Sequence, residues 1–132
     1  MTQTDKELLL KDLCSRLPYG VKVQDIYYNS LEPAPIWLID INAQNVRMFA
    51  DEGYQSIEYI KPYLFPLSSM PKEQKEEFNM RSLELQLKVI DDEIMYEKAT
   101  EFDVDFYNKH HLDWRGLIPM GLAIDATNKN IY

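Results

Sequence analysis

Four short runs of β-branched and aromatic residues fall between positions 21 and 60, each bounded by turn formers, and their spacing sets what the chain can fold into. Residues 21–28 (VKVQDIYY), 36–41 (IWLIDI), 46–50 (VRMFA) and 54–60 read as strands. In the first, Val21 and Val23 alternate with Lys22 and Gln24 until Asp25 breaks the phase, which predicts a bulge near Gln24-Asp25. Residues 29–35 carry two prolines and form a loop. The gap at 42–45 is short enough to make the second and third runs an antiparallel hairpin, and Asp51-Glu52-Gly53 marks a further turn. Four strands this short cannot close a large barrel. They make a small curled antiparallel sheet, or a small barrel resembling the SH3 type, and such a sheet needs one covered face.

A helix over residues 4–17 supplies that cover. Thr4 and Glu7 have capping-box spacing, Leu10, Leu13, Cys14 and Leu17 repeat as one apolar face, and Pro18 and Gly20 end the run. Pro62 and Pro66 exclude a central strand over 61–70, so Tyr63, Leu64, Phe65 and Leu67 predict an extended segment pinned across the core. Ser69 is placed to cap a helix over 71–80 with Pro71 in its first turn. Residues 82–90 fit two periods. Leu83, Leu85, Leu87 and Val89 alternate strictly, whereas Leu83, Leu87 and Ile90 also share a helical face; the strict alternation favours a strand. Thr100 and Asp103 predict the start of a helix over 101–111, with Phe102, Phe106 and His110 near one stripe and Gly116 in the left-handed position past its end. Residues 117–124 are an apolar extended segment, and 125–132 a frayed tail. The expectation is one α+β domain over residues 1–132: a small antiparallel sheet with an N-terminal helix and two further helices.

Composition narrows the chemistry. The single cysteine, Cys14, excludes an intrachain disulfide and a Cys-based zinc site, and its helical position reads as a small hydrophobe. The first ten residues carry Asp5, Lys6 and Glu7 where a secretory signal would be apolar, and no apolar run reaches membrane-spanning length, so the expected location is the cytoplasm without membrane contact. The net charge is −8, and residues 91–105 hold seven acids against Lys98 alone. Such a stretch repels nucleic acid; it suits solubility, a basic protein partner or mimicry of a nucleic acid backbone.

Residues 102–123 are the densest in chemistry-bearing side chains, with both histidines, one tryptophan and two glycines. His110, His111 and Asp113 form the one cluster with metal-ligand character. Adjacent helical histidines diverge by about 100°, so a shared ion would need the helix to unwind there and a further ligand such as Glu101 or Asp103. One of these histidines with a carboxylate could serve acid–base catalysis, a pairing common to any small histidine-containing protein. No nucleophile with an adjacent base and no phosphate-binding glycine loop is present, so no catalytic set and no cofactor are assigned. Trp114 and Arg115 hold the turn by stacking, with Asp113 or an acid of 91–105 pairing the guanidinium, or else present themselves to a partner. Asp91, Asp92 and Glu93 are the acidic candidates for partner contact. Tyr27, Tyr28, Trp37, Tyr54, Tyr59 and Tyr63 gather around the sheet, where core packing claims most of them and any exposed ones form a protein-binding surface.

Three stretches together, KDLCSRLPYGV (11–21), IKPYLFPLSSM (60–70) and FYNKHHLDWRGLIPMGLA (106–123), resemble a group of short uncharacterised proteins from gut bacteria and their phages or prophages. The resemblance covers about 40 of the 132 residues. It implies a phage or mobile-element accessory protein in a bacterial cytoplasm and carries over no catalytic residue. The expected function is a non-enzymatic protein-binding module with a basic partner. The alternatives are a small metal-dependent or acid–base enzyme centred on His110, His111 and Asp113, and an acidic nucleic-acid mimic.

Overall fold

The computed structural model describes residues 1–28, 32–48, 53–89 and 102–132, with residues 81–89 as backbone alone. The first helix, α1 (Gln3–Arg16), begins one residue earlier than the predicted 4–17, and its cap lies two residues earlier. Thr2 Oγ1 accepts from Asp5 N and the Asp5 carboxylate accepts from Thr2 N, each at 3.1 Å, so the capping box is Thr2/Asp5 rather than Thr4/Glu7. The buried face is also rotated. Leu9, Leu10 and Leu13 are buried together with Asp12 and Arg16, while Cys14 is only partly covered. Leu17 falls in a 3-10 turn, Leu17–Tyr19, that Gly20 closes in the left-handed conformation, and this lifts Leu17 off the helix face into solvent.

The strands divide between two small sheets facing one core. The first carries β1 (Lys22–Asp25), β2 (Ala34–Pro35), β6 (Ile60–Leu64) and β7 (Ile124–Asp125) in the order β2-β1-β6-β7. The second carries β3 (Leu38–Asp40), β4 (Asn45–Arg47) and β5 (Gln55–Ser56) in sequence order. The predicted hairpin is β3–β4, with Ile39 opposite Val46 and Gln44 at positive φ in the turn. Among the named strands the pairings are antiparallel except β6–β7, which is parallel. Leu9, Leu13, Val23, Val46, Ile57 and Ile60 are fully buried where α1 and both sheets meet.

Two expectations about the first sheet fail for the same reason, the side on which each backbone N–H points. Residues 24–26 pair with 61–59 without interruption, so no bulge forms at Gln24-Asp25. The strand instead ends because Asp25 Oδ1 accepts from Tyr27 N and Tyr28 N and bends the chain. Pro62 does lie in a central strand, β6. Ile26 N donates to Tyr59 O, so alternation makes Gln24–Lys61 the next bonded pair and leaves Val23–Pro62 a non-bonded one. The missing donor of Pro62 thus faces away from β1, and β7 joins the other side only from Tyr63 onward.

The next bonded position in this ladder would join Lys22 to Tyr63. There the Tyr132 hydroxyl is spliced in: it accepts from Lys22 N at 2.9 Å and donates to Tyr63 O at 2.8 Å. Lys22 Nζ also donates to Ile131 O at 2.8 Å. Residues 125–132 are therefore part of the sheet's bonding rather than a frayed tail. Burial of the hydroxyl pushes its pKa up to about 12.

Ser69 lies in a 3-10 turn and its Oγ donates back to Pro66 O. The second helix, α2 (Lys72–Val89), runs through the segment where alternation favours a strand. Leu, Glu, Gln and Lys are strong helix formers, and an alternating leucine row still places Leu83 and Leu87 one turn apart, so the alternation did not exclude a helix. Residues 102–109 form a further helical run, α3. Phe78 of α2 packs on Phe102, Phe106 and Tyr107 of α3, with ring centroids 5.1–6.2 Å apart. Among the described residues no helix is long and apolar enough to cross a membrane.

Candidate functional site

The dense stretch 102–123 is held by an unusual helix end. Residue 111 takes the left-handed conformation there, with φ 57°, although it is a histidine and the chain has Gly116 five positions on. His111 N donates to Asn108 O and Leu112 N to Tyr107 O, the paired bonds of a Schellman motif. Gly116, also at positive φ, serves the next turn. His111 ends the helix because its surroundings specify it: its carbonyl accepts from Phe65 N, and its ring lies flat on Tyr132 with centroids 3.7 Å apart. The rings of His110 and His111 have separate neighbours. His110 packs on Phe106 at 4.5 Å, beside a cleft of about 260 Å³ that Phe65, Gln74 and Thr127 also line.

Asp113 turns away from both histidines. Its Oδ1 accepts from Leu117 N at 2.7 Å and its Oδ2 from Ile118 N at 2.9 Å, so the carboxylate closes the turn over 113–118. Among the described residues no three metal-ligating side chains converge. Trp114 Nε1 donates to Asn108 Oδ1, and the Arg115 guanidinium lies 4.0 Å over the indole. Among the described residues the partner of Arg115 is Asp12 of α1, at 3.1 Å, rather than Asp113; most acids of the 91–105 run lie outside the described residues. Asp12 also binds Arg16 Nε at 2.8 Å, and both side chains are wholly buried. Arg16 Nη2 donates to Leu112 O. The i, i+4 spacing of Asp12 and Arg16 was visible in the sequence; their burial was not, because charged residues on an apolar face read as its border.

Burial lowers the pKa of both histidines, and for His111 the Arg16 charge adds to it, bringing the imidazole from 6.5 to about 4. With the folded value below the unfolded one, protons favour the unfolded chain. The stabilisation from neutral His111 is complete above about pH 6.5 and is lost progressively as pH falls toward 4. Urea midpoints measured at pH 7 and pH 5 are expected to fall less in His111→Asn than in the parent, since asparagine tolerates the backbone and does not titrate. Equal falls in the two proteins would remove His111 from the pH dependence.

A different surface carries the exposed aromatics. Tyr27, Tyr28, Trp37 and Tyr54 are each exposed by 45% or more, against the expectation that most would enter the core. Tyr63 alone of the six is buried, its hydroxyl donating to Gln24 Oε1. The others escape because they stand at bends and strand ends, where alternation no longer turns them inward. Tyr27 meets Tyr28 and Tyr59 edge-on at 4.8 and 5.1 Å. Across a cleft of about 600 Å³ stands Tyr54, with the Arg47 guanidinium 4.6 Å over its ring and 5.7 Å from that of Trp37. Asp25 lies at the base of this cleft, only 3% exposed, and its Oδ2 accepts from Gln55 Nε2. Asp91, Asp92 and Glu93 lie outside the described residues. Comparison with protein-family models, curated proteins and solved structures gives no match.

Proposed function

We propose that the chain is a non-enzymatic protein-binding module that captures a basic partner through its aromatic face. The observation that carries this reading is the grouping of Tyr27, Tyr28, Trp37, Tyr54 and Arg47 on the exposed side of the small second sheet and the adjoining bend. Tyrosine, tryptophan and arginine are the residues that most often dominate binding energy at interfaces, and the two aromatics bury large area at little entropic cost. Four large aromatic side chains left in water cost solvation free energy that a partner would recover. The net charge of −8 favours a basic partner and speeds its encounter. The resemblance of residues 11–21, 60–70 and 106–123 to gut-bacterial and phage proteins supports reading it as an accessory protein of a phage or mobile element that acts in a bacterial cytoplasm.

The test is affinity capture from a bacterial lysate at low and moderate salt, run in parallel with Trp37→Ala and Tyr54→Ala. A stoichiometric basic protein is expected, bound less tightly as salt rises. Each truncation is expected to weaken it by about 30-fold, the effect of roughly 2 kcal/mol at an interface hot spot. Undiminished capture by both folded variants would sink the aromatic face as the contact surface.

A further inference from the structure

We infer that the cleft between Tyr27, Tyr28 and Tyr54, with Asp25 at its base, is the subsite that receives an arginine side chain of the partner. This rests on the binding-module reading and adds to it the chemistry of the group that is recognised. Asp25 is almost completely buried, yet the hydrogen bonds to its carboxylate come from two backbone N–H groups and the Gln55 amide, all neutral. The described residues place no cation against it. Neutral donors hold a carboxylate in place without cancelling its field, and a low-dielectric wall lets that field reach into the cleft.

The walls of the cleft are aromatic. Tyr27 and Tyr28 stand edge to face with an interplanar angle of 80°, and Tyr54 stands on the other side of the cleft. Tyrosine faces attract cations through the ring quadrupole, and a carboxylate beneath them adds to the same preference. This face already holds a guanidinium. Arg47 lies over Tyr54, which shows the ring presented at stacking distance. The open cleft, about 600 Å³, is roomy enough to admit a guanidinium with its alkyl stem. Arginine fits this setting better than lysine, because a planar, weakly hydrated guanidinium stacks on tyrosine and gives up its water more readily.

The experiment titrates the full chain with N-acetyl-arginine amide and with its neutral isostere, N-acetyl-citrulline amide, following the tyrosine ring signals by NMR. The arginine probe is expected to give saturable shifts at Tyr28 and Tyr54, with citrulline binding at least about tenfold more weakly, as a cation–aromatic interaction near 1.4 kcal/mol requires. Tyr54→Leu, which removes one wall and leaves Asp25 with its donors, is expected to lose the arginine preference. Asp25→Asn, which keeps an acceptor for the bend but removes the charge, should reduce it in the same direction; if that variant does not fold, Tyr54→Leu decides. Equal binding of arginine and citrulline, absence of saturable shifts, or an undiminished preference in Tyr54→Leu would each overturn the subsite. These outcomes separate from those of the capture experiment. Capture that depends on Trp37 without arginine preference would leave the module and remove the subsite, whereas arginine preference without any captured protein would do the reverse.

Discussion

Asp12→Ala is expected to destabilise the fold by about 3–5 kcal/mol, the usual effect of removing one member of a buried ion pair. The carboxylate serves two guanidiniums, Arg16 inside and Arg115 nearer the surface, and no part of its side chain meets solvent. Without it Arg16 stays buried, with Leu112 O as its remaining acceptor among the described residues. Domains of this size have roughly 5–15 kcal/mol of stability, so the loss would be a large share of the total. Urea unfolding followed by tryptophan fluorescence would measure it, with the slope checked for a change in the unfolded state. Arg115→Ala is expected to cost less, about 2 kcal/mol as for a hydrogen bond to a charged group, because Asp12 keeps Arg16 as its partner. A loss below about 1 kcal/mol for Asp12→Ala would mean that water reaches Arg16 once the carboxylate is gone.

Asp113→Ala is expected to cost about 2–4 kcal/mol and to lower the melting temperature by roughly 10 °C. Two backbone donors, Leu117 N and Ile118 N, would lose a charged acceptor, and Leu117 is fully buried. Asp113→Asn should fall between the parent and the alanine variant, since one acceptor oxygen remains. The same substitution separates the structural role from a metal-binding one. A ligand to a metal would, when replaced, change metal content while leaving the metal-free protein as stable as before. Thermal unfolding of metal-free parent and variant therefore decides between them, and equal melting temperatures would sink the turn-closing role.

The sequence made elements visible where one cause acted alone. The β3–β4 hairpin followed from alternation and a short gap, and α1 from its apolar repeat. It misled where two causes competed. Leucines at every second position of 83–87 satisfy a strand and a helix together, and helix propensity prevailed. Pro62 looked incompatible with a central strand because its exclusion applies only to the side its nitrogen faces, and that side is set by the register with β1. His111 could not be read as a helix terminator, since glycine five residues on was the stronger local signal and the stacking on Tyr132 comes from a distant part of the chain. The aromatic face was legible as a group of residue types, but its exposure depended on where strands end. Asp25 gave no signal beyond an interruption of phase, and Asp12 none beyond its spacing to Arg16.

The Tyr132 bridge bears on the order in which this protein is made and folded. Lys22 and Tyr132 are 110 positions apart, Arg16 and Leu112 are 96 apart, and Asp12 and Arg115 are 103 apart. Each bond joins a residue between 12 and 22 to one synthesised 96–110 positions later. While the ribosome is still extending the chain through α2 and α3, the Asp12 carboxylate and the Arg16 guanidinium have only each other and water, and β1 ends on an open rung. Closure of so long a loop is entropically slow, so the final structure forms after residues 112–132 emerge and the early segments wait for them.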